Sequence, residues 1–264
     1  MKVRTFVALG DSFTEGLDDP YGDGQYRGWA DRVAEGLALA DPEFRYANLA
    51  VRGRLLPEIV AEQVPAALRL GADLVSLAGG ANDLLRGTEP RRLGAQLDDA
   101  VGRLRAAGSQ VLLFLGADAA RLPFGQRLSP RIRAFNDEVR RVAADHGTLL
   151  AAPGGAETFA ERRFWSADRL HLSGDGHQLV ADGVLAILGV DPAARLARDA
   201  PIPLEPIVSQ TWAADRLEDL RWARDHGLPW VGRRIRGRST GDGRRAKRPD
   251  LLPFRPNGTG RPGS

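Results

Sequence analysis

Short apolar runs alternate with longer stretches of mixed character along the first 190 residues. Thr5–Leu9, Phe44–Ala50, Leu74–Ala78, Val111–Leu115 and Thr148–Ala151 read as strands. Between and after them lie helix-like segments at Trp29–Leu39, Leu56–Leu70, Pro90–Ala107, Pro130–His146 and Ser173–Leu188. Ile132, Phe135, Val139 and Val142 step by three or four, the period of an amphipathic helix. Strands that are nearly continuously apolar, rather than alternating, belong to a sheet covered on both faces. Strand–helix alternation then predicts an α/β three-layer sandwich with a five-stranded parallel sheet of flavodoxin-like, doubly wound form.

Beyond about residue 190 the pattern changes. Residues 191–232 combine a Pro-rich connector with one amphipathic helix, Thr211–His226, and residues 233–264 are rich in Arg, Gly and Pro. The expected organisation is a catalytic-type domain over 1–190, the connector and helix over 191–232, and a tail over 233–264. Too few apolar groups lie in that tail to offset its ordering entropy, so it is expected to be extended or disordered. No internal repeat is visible.

A doubly wound sheet presents ligands beyond the carboxyl ends of its strands, and there the polar residues concentrate. Strand one runs into Gly10-Asp11-Ser12-Phe13, strand two into Asn48-Leu49-Ala50-Val51-Arg52-Gly53, and strand three into Gly79-Gly80-Ala81-Asn82-Asp83. Asp168-Arg169-Leu170-His171 places a carboxylate three residues before a histidine, ahead of the last helix of the domain. Serine needs a base to become a nucleophile, and a base imidazole needs a carboxylate on its other nitrogen. A developing alkoxide needs preorganised donors, which Ser12, Gly53 and Asn82 could supply from three neighbouring strand ends. The chemistry implied is acyl transfer to water.

These four blocks, in this order, resemble the SGNH-hydrolase superfamily of GDSL lipases and esterases across residues 5–188. The resemblance implies an ester hydrolase in which Ser12 is the nucleophile, His171 the base and Asp168 its orienting acid. It further implies an oxyanion hole made by the Ser12 and Gly53 backbone N–H groups and the Asn82 side chain. Phe13 stands where many members carry Leu, and Arg54 where Ser or Thr is frequent. Tyr26-Arg27-Gly28-Trp29-Ala30 resembles the entry to the first long helix of many members. The implied partner is a small-molecule acyl ester.

Composition narrows the alternatives. There is no cysteine among the 264 residues, which excludes thiol nucleophiles, disulfide frameworks and thiolate metal sites. No HExxH, EF-hand or phosphate-loop spacing occurs, so no metal and no cofactor are expected. No apolar run is long enough to span a membrane, and without a recognisable leader a cytoplasmic location is expected. The net charge of +3 hides an asymmetry: residues 1–200 hold 24 Lys+Arg against 27 Asp+Glu, and residues 201–264 hold 13 against 7. A second class of function therefore stands beside the enzyme, a catalytically silent SGNH-fold binding module whose basic tail engages an anionic partner. Nucleic acid is the disfavoured version of that partner, because Arg233–Arg248 lacks interleaved aromatic residues. Gly237-Arg238-Ser239-Thr240-Gly241 matches the nucleophile-elbow pattern, but no histidine follows residue 226, so it is read as a chance match. The pattern specifies no oligomeric state.

Overall fold

A computed structural model describes residues 2–21, 25–117, 125–152, 159, 161–190 and 241–255. Its six-stranded sheet has the order β5-β4-β3-β1-β2-β6. The strands are β1 (Thr5–Gly10), β2 (Arg45–Asn48), β3 (Leu74–Ala78), β4 (Gln110–Phe114), β5 (Leu149–Ala151) and β6 (Arg248–Pro253). The first five pair in parallel, as the strand–helix alternation predicts. The short helix α1 (Ser12–Glu15) follows β1, and α2 (Gly28–Ala40) precedes β2. Helices α3 (Leu56–Glu58) and α4 (Val64–Leu70) join through a π-helical turn at Ile59–Gln63. Then come α5 (Ala81–Leu85), α6 (Pro90–Ala106), α7 (Gly125–His146) and α8 (Gly174–Ile187).

Successive residues of one strand serve opposite faces. Val7 and Leu9 join Val75, Leu77, Val111 and Leu113 in the core beneath α4, α6 and α7. Phe6 and Ala8 join Leu74, Leu112, Trp29, Val33, Val180 and Val184 in the core beneath α2 and α8. Strands β1, β3 and β4 feed both cores, which is why their sequences are nearly continuously apolar. Removing a fully buried Val or Leu side chain from either core forfeits about 1.5–3 kcal/mol of burial alone.

The sheet departs from the expected five parallel strands by one. The sixth comes from the Arg-rich segment and runs antiparallel to β2, pairing Arg45 with Pro253 and Tyr46 with Leu252. β2 would otherwise be a sheet edge with unpaired backbone groups. The argument from low apolar content overlooks this strand because it is held by polar bonds. Lys247 Nζ donates to the Tyr26 and Arg27 carbonyls at 2.8 Å each and pairs with Asp31 at 3.0 Å. Arg248 Nε donates to Tyr46 O at 2.9 Å while its guanidinium lies 5.0 Å from the Phe254 ring centre. Thr211–His226 and most of the Gly237–Gly241 pattern lie outside the described residues. Among the described residues no helix is long and apolar enough to cross a membrane.

Candidate active site

Ser12 opens α1 at the carboxyl end of β1, with Asp11 as the N-cap accepting from Phe13 N at 3.1 Å. The crossing from strand to helix is tight: a Cβ on Gly10 would stand 2.6 Å from Ala78 O on the adjacent strand. Phe13 anchors the turn from below, its ring packing against Trp29 and Phe114 at centroid distances of 5.6 and 5.5 Å.

His171 reaches the serine from the loop before α8. Its Nε2 lies 3.0 Å from Ser12 Oγ and its Nδ1 lies 2.6 Å from Asp168 Oδ2. The other Asp168 oxygen, Oδ1, accepts from Ser166 Oγ at 2.6 Å and from the Leu170 and His171 backbone N–H groups at 2.9 Å each. Burial alone would raise the Asp168 pKa, but these hydrogen bonds and the adjacent imidazole hold it well below the usual carboxylate range. Burial pulls His171 down, and the hydrogen bond and charge of Asp168, with Asp18 and Asp11 behind it, carry the imidazole above its ordinary value. Asp11, only 5% exposed, is pushed up to about 6 by burial.

The three residues read from the sequence as donors lie just after β1, in the loop after β2 and just after β3. The backbone N–H groups of Ser12 and Gly53 have no hydrogen-bond acceptor among the described residues. Gly53 sits in a left-handed turn at φ +75° that favours glycine. Asn82 differs from them, because its Nδ2 donates to Asp11 Oδ2 and to Arg54 O, both at 3.1 Å. Arg54, the departure from the common Ser or Thr, turns away to pair with Glu58 at 3.1 Å and Glu62 at 2.9 Å.

The polar frame that fixes these loops escapes the sequence reading. Gln63 reaches back from the π-helical turn and clamps Gly10, with Oε1 accepting from its N–H at 2.8 Å and Nε2 donating to its carbonyl at 2.9 Å. Glu15 on α1 forms a buried, bidentate ion pair with Arg52 and accepts from the Arg52 backbone N–H at 2.6 Å. Asp83 Oδ2 accepts from Leu56 N at 2.9 Å, tying the third-strand loop to α3. The one available signal is Pro65, whose missing N–H interrupts the helical ladder near a π turn. Gln63→Leu leaves the Gly10 N–H without an acceptor and its carbonyl with only Val51 N–H, at 3.2 Å. It should destabilise the fold by roughly 1–3 kcal/mol in urea unfolding. A midpoint equal to wild type would show that the clamp contributes nothing.

Residues 8–179 match the GDSL-like lipase/acylhydrolase family, and the chain belongs to that family of ester-hydrolysing enzymes. It is 31% identical over 159 residues to the esterase TesA of Pseudomonas aeruginosa, covering 56% of this chain and 69% of that protein. Among solved structures it resembles LAE5, an alpha/beta hydrolase enzyme from the metagenome of Lake Arreo, Spain. The TM-score is 0.61 at 22% identity, over 72% of this chain and 97% of LAE5. Axe2, an acetylxylan esterase from Geobacillus stearothermophilus, gives 0.61 at 18% identity, over 72% of this chain and 98% of Axe2.

Proposed function

We propose that the chain hydrolyses carboxylic esters through an acyl-enzyme on Ser12. His171 takes the serine proton as Ser12 Oγ attacks the acyl carbonyl and returns it to the leaving alcohol. Asp168 holds the imidazole and stabilises the imidazolium formed on the way. The oxyanion lies against Ser12 N–H, Gly53 N–H and one Asn82 N–H, the last released from Asp11 or Arg54 as the oxyanion forms. Water, deprotonated by His171, then attacks the acyl-enzyme, the tetrahedral intermediate collapses, and the acid leaves with Ser12 reprotonated. No cofactor takes part in any of these steps.

The observation that carries this reading is the unbroken hydrogen-bonded chain from Asp168 through His171 to Ser12. Family membership supports the reaction class. So do Axe2 structures substituted at a serine, an aspartate and a histidine, which are described as catalytic mutants. We further propose the catalytic unit as residues 1–190, with the described part of the Arg-rich segment completing its sheet edge.

The test is turnover of p-nitrophenyl acetate together with fluorophosphonate labelling mapped by mass spectrometry. A single adduct on Ser12 is expected. Absence of both turnover and adduct would overturn the reading, and with salt-sensitive retention on heparin it would favour the binding module. The base works only as neutral imidazole, so kcat/KM should rise with pH through a midpoint above the ordinary 6.5 of histidine. A midpoint below 6 in the pH–rate profile would contradict His171 as the base.

A further inference from the structure

The turn after α1 brings a second carboxylate to the edge of His171 that Asp168 occupies. Asp18 Oδ2 lies 3.9 Å from His171 Nδ1, beside the 2.6 Å contact of Asp168 Oδ2. Asp18 is held at φ +69°, and Arg169, between Asp168 and His171, at φ +58°. These are the two non-glycine residues with left-handed backbone among the described residues, and both flank the same imidazole. L-residues rarely adopt such a conformation, and it persists only where its surroundings over-determine it.

The surroundings of Asp18 do so from both sides. Leu17 N donates to Ser12 O at 3.1 Å, and Leu17 O accepts from His177 Nε2 at 3.2 Å. His177 Nδ1 accepts from Trp29 N at 3.2 Å, so the proton of the neutral ring must sit on Nε2. Burial keeps that ring neutral, holding its pKa down to about 4. On the other side Asp19 accepts from Gly28 N and from Arg32 Nε, each at 3.0 Å. Gly16 and Gly28 meet so closely that a Cβ on Gly16 would stand 2.6 Å from Gly28 N. The anchors belong to α1, α2 and α8, so the turn is a rigid mount that aims Asp18 at the ring.

We propose that Asp18 is a positioning residue for His171, which supplements Asp168 in stabilising the imidazolium and substitutes for it in part when Asp168 is removed. The inference rests on His171 acting as the base. The charged groups facing the ring are Asp168 from its own loop, Asp18 from the turn after α1 and Asp11 from the end of β1. Asp168 holds the ring through a short hydrogen bond, while Asp18 acts at longer range through its charge.

The experiment follows the imidazole resonances of His171 by NMR from pH 5 to 9 in the full chain, alongside the pH profile of kcat/KM. Asp18→Asn is the variant, because asparagine tolerates the left-handed backbone. Its His171 midpoint should fall by about half a pH unit, with the acid limb moving in the same direction. In the Asp168→Ala background the same change should lower kcat/KM by about tenfold, against roughly threefold with Asp168 present. Asp18→Gly, which relieves the backbone strain, should reproduce the midpoint shift if Asp18→Asn proves unstable. An unchanged His171 midpoint in a folded variant overturns the proposal, as does an equal effect of Asp18→Asn in both backgrounds. The NMR titration needs no turnover, so an enzyme inactive on esters would sink the hydrolase reading and leave this one decided separately.

Discussion

Replacing Ser12 by alanine is expected to lower kcat/KM for a short-chain ester by at least about 10⁴-fold. Under the proposed mechanism, the 3.0 Å contact between Ser12 Oγ and His171 Nε2 makes nucleophile and base parts of one device. Without Ser12 the imidazole has nothing to activate, and without His171 the hydroxyl keeps its proton. His171→Ala should therefore fall about as far as Ser12→Ala, and the double variant no further. Asp168→Ala should fall less, since the Nε2 contact survives and Asp18 remains 3.9 Å from Nδ1. The rate left without Ser12 or His171 is expected to come from the proposed oxyanion donors, the Gly53 and residue-12 backbone N–H groups and Asn82. Single-turnover rates with p-nitrophenyl acetate decide the matter. Independent, multiplicative losses from Ser12→Ala and His171→Ala would mean that the two side chains do not work together.

How much of this was legible beforehand follows from which interactions write themselves into local sequence. The five parallel strands announce themselves because each is buried on both sides, and Val7, Ala8 and Leu9 must all be apolar for that reason. Ser12, Gly53, Asn82, Asp168 and His171 stand out because each breaks the apolar pattern at a strand end or in a loop, where a doubly wound sheet gathers ligands. Gln63, Glu15 and Arg52 leave no comparable trace. Each lies in a helical or loop segment where a polar residue is unremarkable, and its partner is 53 or 37 positions away. Their role appears only when the chain has folded and a buried backbone group or an opposite charge is found opposite them. The sixth strand escaped for a related reason. β6 is held through backbone pairing and through Lys247 and Arg248, residues that local composition reads as solvated charge.

That hidden polar frame also separates what stabilises the molecule from what places its chemistry. α1, carrying Ser12, and the loop carrying Gly53 come from different strand ends, and the proposed mechanism requires them to hold nucleophile and oxyanion donor in fixed relation. Glu15 joins them directly: it lies three residues after Ser12, and its carboxylate grips both the guanidinium and the backbone N–H of Arg52, the residue before Gly53. Arg52 is further covered by the Tyr26 ring, 4.8 Å from its guanidinium carbon, and by the close approach of Gly241 to its carbonyl.

Breaking this buried pair from one side leaves the other charge uncompensated, a loss of about 3–5 kcal/mol. Glu15→Leu or Arg52→Leu should accordingly lower the melting temperature by roughly 6–20 °C for a domain of this size. Replacing both charges with leucine removes the uncompensated charge, so most of the stability should return. The return should fall short by about 1–3 kcal/mol, because the Arg52 N–H still lacks its acceptor. Activity is expected to behave differently. With no group left to bind Arg52 N–H, the Gly53 donor is no longer held against the nucleophile, and kcat should stay depressed by roughly tenfold or more even in the double variant. Calorimetry and kcat measured on the same three variants separate the two roles. A double variant that recovers both melting temperature and kcat would reduce the Glu15–Arg52 pair to a structural tie. Recovery of stability alone would mark it as the part of the frame that sets nucleophile and oxyanion hole in register.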